Sequence, residues 1–303
     1  MLVAYLAVVF RALINSVNFI VIKTMDSDLP ASHITILRAM ISSAFIFIFF
    51  RNKLRFELRY LKIAVPLGIL GVVMNQTFFA AGGRMTIPPH TSVIYSLIPI
   101  IIYSLSVLLG LEIFSLRKVS GIIIGFVGIF LIIYEKGIDM SSAHLKGDLI
   151  ILAGAFTWSF FTLFSRNQKV FRDSVSLTMN TLFYGGIIYT LGGIYFLTCD
   201  FRQNILDPVN IFPIIYFALV TSVFSYLIWN FAIRRISPAT ASLVQTLQII
   251  ITTVITFFYT GYKPGTLFYL GSFTVITGLF LVVFPSAVRR NRSQKVGLHI
   301  PRL

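Results

Sequence analysis

Two arginines sit inside otherwise apolar stretches of this 303-residue chain, Arg11 within Leu2–Lys23 and Arg38 just beyond Pro30. A charged side chain at membrane depth is costly, so each is a functional hypothesis by default. Arg11, Asn15 and Asn18 follow i, i+4, i+7 spacing and share one helix face. That face offers a guanidinium and two amides to a cavity, a set suited to a carboxylate or phosphate, which the guanidinium fork grips bidentately. The competing account is structural. Arg11 is close enough to one end of its stretch to snorkel towards water, and Arg38 could instead bond loop or helix carbonyls.

Further polar groups lie in apolar surroundings. Asn75, Gln76 and Thr77 are consecutive, as are Gln245 and Thr246 with Gln248 close behind. Amides in such helices either hold helices together or meet a substrate. Asn230 and Trp229, with Trp158 and Tyr95, could form a polar and aromatic lining; interfacial or lipid-facing placement is the alternative for each ring. The expected substrate-contact set is Arg11, Asn15, Asn18, Arg38, Asn75, Gln76, Tyr95, Trp158, Trp229, Asn230 and Gln245.

No catalytic or metal-binding constellation is visible. His33, His90, His144 and His299 are scattered, and the single cysteine, Cys199, excludes an intramolecular disulfide framework and a Cys-rich metal site. No cofactor is expected. All ten acids fall in loops or at span ends, Asp148 near the start of the sixth span coming closest to the interior. Proton or sodium coupling therefore has no visible seat, and uniport or exchange fits as well.

These residues must be positioned by membrane helices. Hydrophobic residues make up 57% of the chain, mean hydropathy is +0.88 and only 12% of residues are charged, too few to cover a soluble domain of this size. Spans of about 20 residues suit a hydrocarbon core roughly 30 Å thick, and with no strand-like alternation they should be helices. Ten are expected, at about 2–23, 30–50, 62–82, 89–109, 119–134, 147–165, 176–197, 211–233, 238–260 and 266–284. The first has no basic leader and is expected to be retained rather than cleaved as a signal peptide. The net charge of +15 does not point to nucleic acid, because the basic residues occupy short loops and the tail.

One set of loops carries Arg51, Lys53, Arg55, Arg59 and Lys62, then Arg117 and Lys118, then Arg166, Lys169 and Arg172, then Arg234 and Arg235, then the tail with Arg289, Arg290, Arg292, Lys295 and Arg302. The opposite set has only Lys23, Arg84, Lys136, Lys146, Arg202 and Lys263. Basic loops stay cytoplasmic, so both termini are expected inside, which requires an even number of spans. An inner or plasma membrane is the expected location.

The chain contains one segment twice. Arg84, Pro88, Ser92, Leu97, Ile100, Ile101, Gly121, Gly128, Phe130 and Leu131 are matched at an offset of 150 (234 − 84) by Arg234, Pro238, Ser242, Leu247, Ile250, Ile251, Gly271, Gly278, Phe280 and Leu281. Matched Arg, Pro, Ser and Gly argue for duplication rather than composition bias. A fainter echo aligns the stretch from Asn15 with that from Trp158. The division expected is a first repeat at 1–134, a loop at 135–146, a second repeat at 147–284 and a basic cytoplasmic tail at 285–303. Five spans per copy is odd, so the second copy must be inverted, as in secondary transporters with a midplane site. Gly121, Gly125 and Gly128 should allow close helix approach. Pro99 should kink or weaken the fourth helix by removing a ladder bond, and since its counterpart is Ile249, any kink should be asymmetric.

Asn18-Phe19 with Lys23, Pro30 with Arg38, Pro88, Ser92, Pro99, Glu112, and Gly121, Gly125 and Gly128 give the chain a resemblance to EamA-type members of the drug/metabolite transporter superfamily. The resemblance covers nearly the whole chain. It implies an all-α polytopic fold of ten transmembrane helices in two inverted five-helix repeats, and movement of small metabolites, often export of amino acids or related compounds. The chain departs from the family pattern at Asn15-Ser16, where Trp-Gly is common, and at Tyr262, which stands opposite Glu112 in the second copy. The reading is a secondary transporter of small polar metabolites, anionic or zwitterionic, in a lipid bilayer, with the oligomeric state open. A flippase for lipid-linked substrates on the same fold is the alternative. A membrane-embedded enzyme would need clustered acids or histidines, and none are present.

Overall fold

The computed structural model describes residues 1–21, 24–26, 29–86, 91, 94–135, 145–166, 168–199, 203–260 and 265–283. Lys23, Pro88, Ser92, most of the 135–146 loop, Lys263 and the 285–303 tail lie outside the described residues. Among the described residues, the long helical runs group into ten: α1 (Leu2–Val21), α2 (Ala31–Phe50), α3 (Leu58–Gly68, Ile69–Met74 and Asn75–Met85, continuous), α4 (Ile98–Leu108, preceded by a turn from Ile94), α5 (Leu116–Glu135), α6 (Leu145–Arg166), α7 (Ser174–Cys199), α8 (Pro208–Tyr216, Phe217–Phe224 and Ser225–Ile233, continuous), α9 (Pro238–Gln245 and Leu247–Thr260) and α10 (Thr266–Val283). Stretches on Ser32–Lys53, Leu58–Gly83, Leu145–Arg166, Pro208–Ile233 and Pro238–Tyr259 are long and apolar enough to cross a membrane.

The two halves repeat their irregularities as well as their helices. Ile69–Met74 in α3 and Phe217–Phe224 in α8 are π-helical, each a few residues after an internal proline, Pro66 and Pro213. A proline removes one ladder bond and crowds the preceding turn, and a wider π turn is one way to absorb this. The expectation that any kink should be asymmetric is not met. α4 breaks at Leu97 and α9 breaks at Thr246. Pro99 sits in the first turn of Ile98–Leu108, where a missing N–H costs little. Thr246 achieves the same break without proline: its Oγ1 donates to the Leu243 carbonyl at 2.6 Å, and its N–H bonds the same oxygen at 3.1 Å. Such local bonding competes with the helix ladder.

The repeated glycines show how the halves are related. A Cβ on Gly278 would lie 2.5 Å from the Gly121 carbonyl oxygen, and one on Gly271 would lie 2.5 Å from that of Gly128. Gly121 therefore meets Gly278 while Gly128 meets Gly271, so α5 and α10 run antiparallel. Gly271 and Gly278 are the echoes of Gly121 and Gly128, so each contact is the image of the other, as at a two-fold interface. α2 and α7 also cross antiparallel, with Gly186 beside Ala39 and Gly193 beside Ile36. The remaining neighbours exchange in the same way: α3 and α4 pack on α6, as α8 and α9 pack on α1. The architecture is a two-repeat helical fold with antiparallel counterpart helices.

α1 shows which side faces lipid. Leu2, Leu6, Phe10, Leu13 and Val17 are exposed, whereas Ala4, Val8, Arg11, Ala12 and Ser16 are buried. The polar and small residues point inwards and the large apolar ones outwards, which suits a helix with lipid on one side and a packed interior on the other.

Candidate functional site

The inward face of α1 delivers Arg11 against α8 and α9. Its Nε donates to the Ser225 carbonyl at 3.1 Å, and its Nη1 donates to Gln245 Oε1 at 2.8 Å. The guanidinium carbon lies 4.7 Å from the Trp229 ring centroid and 5.5 Å from that of Trp158. Only 6% of the residue is exposed. The indole faces attract the cation and fix the plane of its fork. This geometry does not match a side chain reaching out towards water.

Both rings are themselves held. Trp229 is 1% exposed, and its Nε1 donates to Thr162 Oγ1 at 3.2 Å. Trp158 stacks edge-on to Tyr226 at 5.5 Å and lies 5.7 Å from Trp229. The Tyr226 hydroxyl donates to the Gly71 carbonyl at 2.6 Å, in the π segment of α3. Gly71 leaves room for Phe161, since a Cβ there would meet that ring at 2.6 Å. Tyr226 thus ties α8 to α3 and lies in electrostatic reach of both Arg38 and Arg11.

Arg38 enters from α2, its Nε donating to Ser222 Oγ at 2.6 Å. Ser222 Oγ in turn donates to the carbonyl of Phe217, five residues back, at 3.2 Å, a reach set by the π geometry. Arg38 lies deep among protein atoms yet is only half-buried by surface. Tyr95 is placed in the same way, deep but half-buried.

On the α3 side, Asn75 Nδ2 donates to the Gly154 carbonyl at 2.9 Å and approaches the Tyr95 hydroxyl at 3.4 Å. Gln76 lies in hydrogen-bonding reach of Tyr226, and its Oε1 is buried without a hydrogen-bond partner among the described residues. Asn15 Oδ1 accepts from Ser225 Oγ at 3.4 Å, and Gln245 Nε2 donates to Gln248 Oε1 at 2.9 Å. Asn18 Oδ1 is also buried without a partner among the described residues.

The structure thus gathers Arg11, Asn15, Trp158, Trp229 and Gln245 into one cluster, with Arg38, Gln76, Asn75 and Tyr95 linked to it around Tyr226. Asn230 is placed elsewhere. It follows Trp229 directly, so its side chain points about 100° round the helix and Nδ2 donates to Thr178 Oγ1 on α7 at 2.9 Å. Sequence reasoning missed Ser222, Ser225 and Tyr226. The usable signal was spacing, because Ser222, Ser225 or Tyr226, and Trp229 follow i, i+3 or i+4, i+7 on one face.

The electrostatics are one-sided. Among the described residues, neither Arg11 nor Arg38 forms an ion pair; the buried Glu112 side chain pairs instead with Lys118 at 2.6 Å and approaches Arg166 at 3.9 Å. Two interior guanidiniums without a carboxylate make a site that attracts an anion. Among the described residues, no group of three or more His, Cys, Asp or Glu side chains could hold a metal ion.

Comparison with known proteins agrees with this architecture. The pattern of the EamA-like transporter family matches the chain twice, over residues 2–134 and 145–284. The uncharacterized transporter YyaM of Bacillus subtilis (strain 168) is 27% identical over 196 residues, covering 64% of this chain. The WAT1-related protein At2g40900 of Arabidopsis thaliana is 24% identical over 258 residues, covering 77% of this chain. The chain spans 64% of the length of each of these relatives. A solved crystal structure superimposes with a TM-score of 0.76 at 16% identity, covering 92% of this chain and 96% of its own, and so shares the fold.

Proposed function

The chain belongs to the EamA-like transporter family, and from that premise we propose that this multi-pass membrane transporter moves small anionic or zwitterionic metabolites by alternating access. The observation that carries the reading is Arg11, buried against two neighbouring indole rings with no carboxylate among the described residues to neutralise it. A substrate carboxylate is the group this fork lacks. Asn15 and Gln245 border the same position and suit an ammonium or hydroxyl on that substrate.

The site lies where helices of both repeats meet, α1, α2 and α3 from one half and α6, α8 and α9 from the other. Inverted repeats rocking about such a place expose it to each side in turn. The division at 1–134, 135–146, 147–284 and 285–303 follows from this reading, as do ten crossings. The basic loops support a cytoplasmic position for both termini, and an inner or plasma membrane is the proposed location. With no acidic side chain bonded to Arg11 or Arg38 among the described residues, uniport or exchange fits at least as well as proton coupling.

Flux in proteoliposomes tests this. A pool of amino acids, organic acids, nucleotides and cationic drugs is offered with and without a pH gradient, to wild type and to Arg11→Gln. Saturable, Arg11-dependent movement of an anion or zwitterion is expected. Folded protein that moves no soluble compound would instead favour a flippase for lipid-linked substrates.

A further inference from the structure

The second cation narrows the substrate class. Arg11 is anchored by the Ser225 carbonyl and Arg38 by Ser222 Oγ. These anchors are three residues apart on α8, a rise of about 4.5 Å along the helix. The two guanidiniums approach α8 from different helices, α1 and α2. Among the described residues, Arg38 uses only Nε in a hydrogen bond, while a guanidinium carries five N–H donors.

A single carboxylate on Arg11 would leave Arg38 as a second buried cation, and an uncompensated buried charge is strongly unfavourable. We infer that the substrate carries two anionic groups separated by about one helical turn, one on Arg11 and one on Arg38, as a short dicarboxylate does. Tyr226, within electrostatic reach of both forks, then packs beside the chain that joins the carboxylates. This inference rests on Arg11 being a substrate ligand and adds Arg38 as the residue that selects dianions over monoanions.

The test uses purified full-length protein with succinate as the dianion, propionate as the monoanion and alanine as the zwitterion. Each is titrated by thermal shift, since a ligand that binds the native state stabilises it, and each is then followed as flux in proteoliposomes. Wild type is expected to bind succinate at least about tenfold more tightly than propionate. Arg38→Gln should erase that preference by weakening succinate alone, and Arg38→Lys should keep part of it. Equal affinity of wild type for succinate and propionate overturns the inference, as does an Arg38→Gln variant that weakens both alike. Should Arg38→Gln fail to fold, the wild-type comparison still decides. Binding of alanine or propionate without a succinate preference removes the dianion inference and leaves Arg11 as a carboxylate ligand. No binding of any of the three, by folded protein that also moves no other soluble anion or zwitterion, removes both.

Discussion

Replacing Arg11 by Gln separates a substrate ligand from a structural cation. On the folding side, the change removes two hydrogen bonds from a charged donor, to the Ser225 carbonyl and Gln245, about 1.5–3 kcal/mol each. It also removes cation–π contact with Trp229 and Trp158, about 0.5–2 kcal/mol. Against this, it relieves the desolvation of a guanidinium that has no carboxylate partner among the described residues, an effect of several kcal/mol. The terms offset, and Gln can still donate to the Ser225 carbonyl. The melting temperature should therefore stay within a few degrees of wild type. On the binding side, a substrate carboxylate loses one charge-assisted contact of about 1.5–3 kcal/mol, which raises KM by about 10- to 150-fold. Arg11→Lys keeps the charge but loses the planar fork and its stacking, so its KM should fall between the two. The assay is initial flux against substrate concentration in proteoliposomes, paired with thermal unfolding in detergent. An unchanged KM in folded Arg11→Gln would refute the ligand role, and a collapse of stability with unchanged KM would make Arg11 a packing residue.

Gly278→Ala should destabilise the α5–α10 crossing by about 1–3 kcal/mol, because its Cβ would sit 2.5 Å from the Gly121 oxygen and 2.6 Å from the Gly125 nitrogen, with only backbone to yield. Gly192→Ala is the control: nothing lies within 4 Å of its Cβ, and thermal unfolding should show no loss. Asn230→Ala should cost about 0.5–1.5 kcal/mol through the lost hydrogen bond to Thr178, whose hydroxyl still donates to the Ser174 carbonyl, while leaving KM unchanged, since Asn230 faces α7; a raised KM would return it to the site. After Cys199 is changed to Ser, a cysteine at Asn52 should react with an impermeant maleimide only from the cytoplasmic side, and one at Asp207 only from outside. The reverse pattern would overturn the orientation inferred from loop charge.

Much of the fold was legible in the chain itself. Apolar runs long enough to span, the density of positive charge in alternate loops, and ten identities at one offset are local or periodic properties, and any reading of the sequence preserves them. The glycines show the passage from pattern to structure. Their spacing announced close helix approach, but only the fold showed that Gly121 meets Gly278 and Gly128 meets Gly271. Pro99 shows the limit of local reasoning. Its chemistry suggested a kink in one copy, but Thr246 produces the same break in the other through its hydroxyl.

The site divides along the same line. The sequence by itself determined that Arg11 and Arg38 lie in apolar surroundings and that Arg11 shares a helix face with Asn15 and Asn18. It could not say what those faces meet, because Arg11 and Gln245 are 234 residues apart in the chain and Arg11 and Ser225 are 214 apart. Only tertiary structure set Arg11 against Trp158 and Trp229, brought in Tyr226, and turned Asn230 towards α7 although it is the neighbour of Trp229. The physical reason is that helix periodicity fixes which residues share a face, whereas the partner of that face depends on how helices from the two repeats pack against each other.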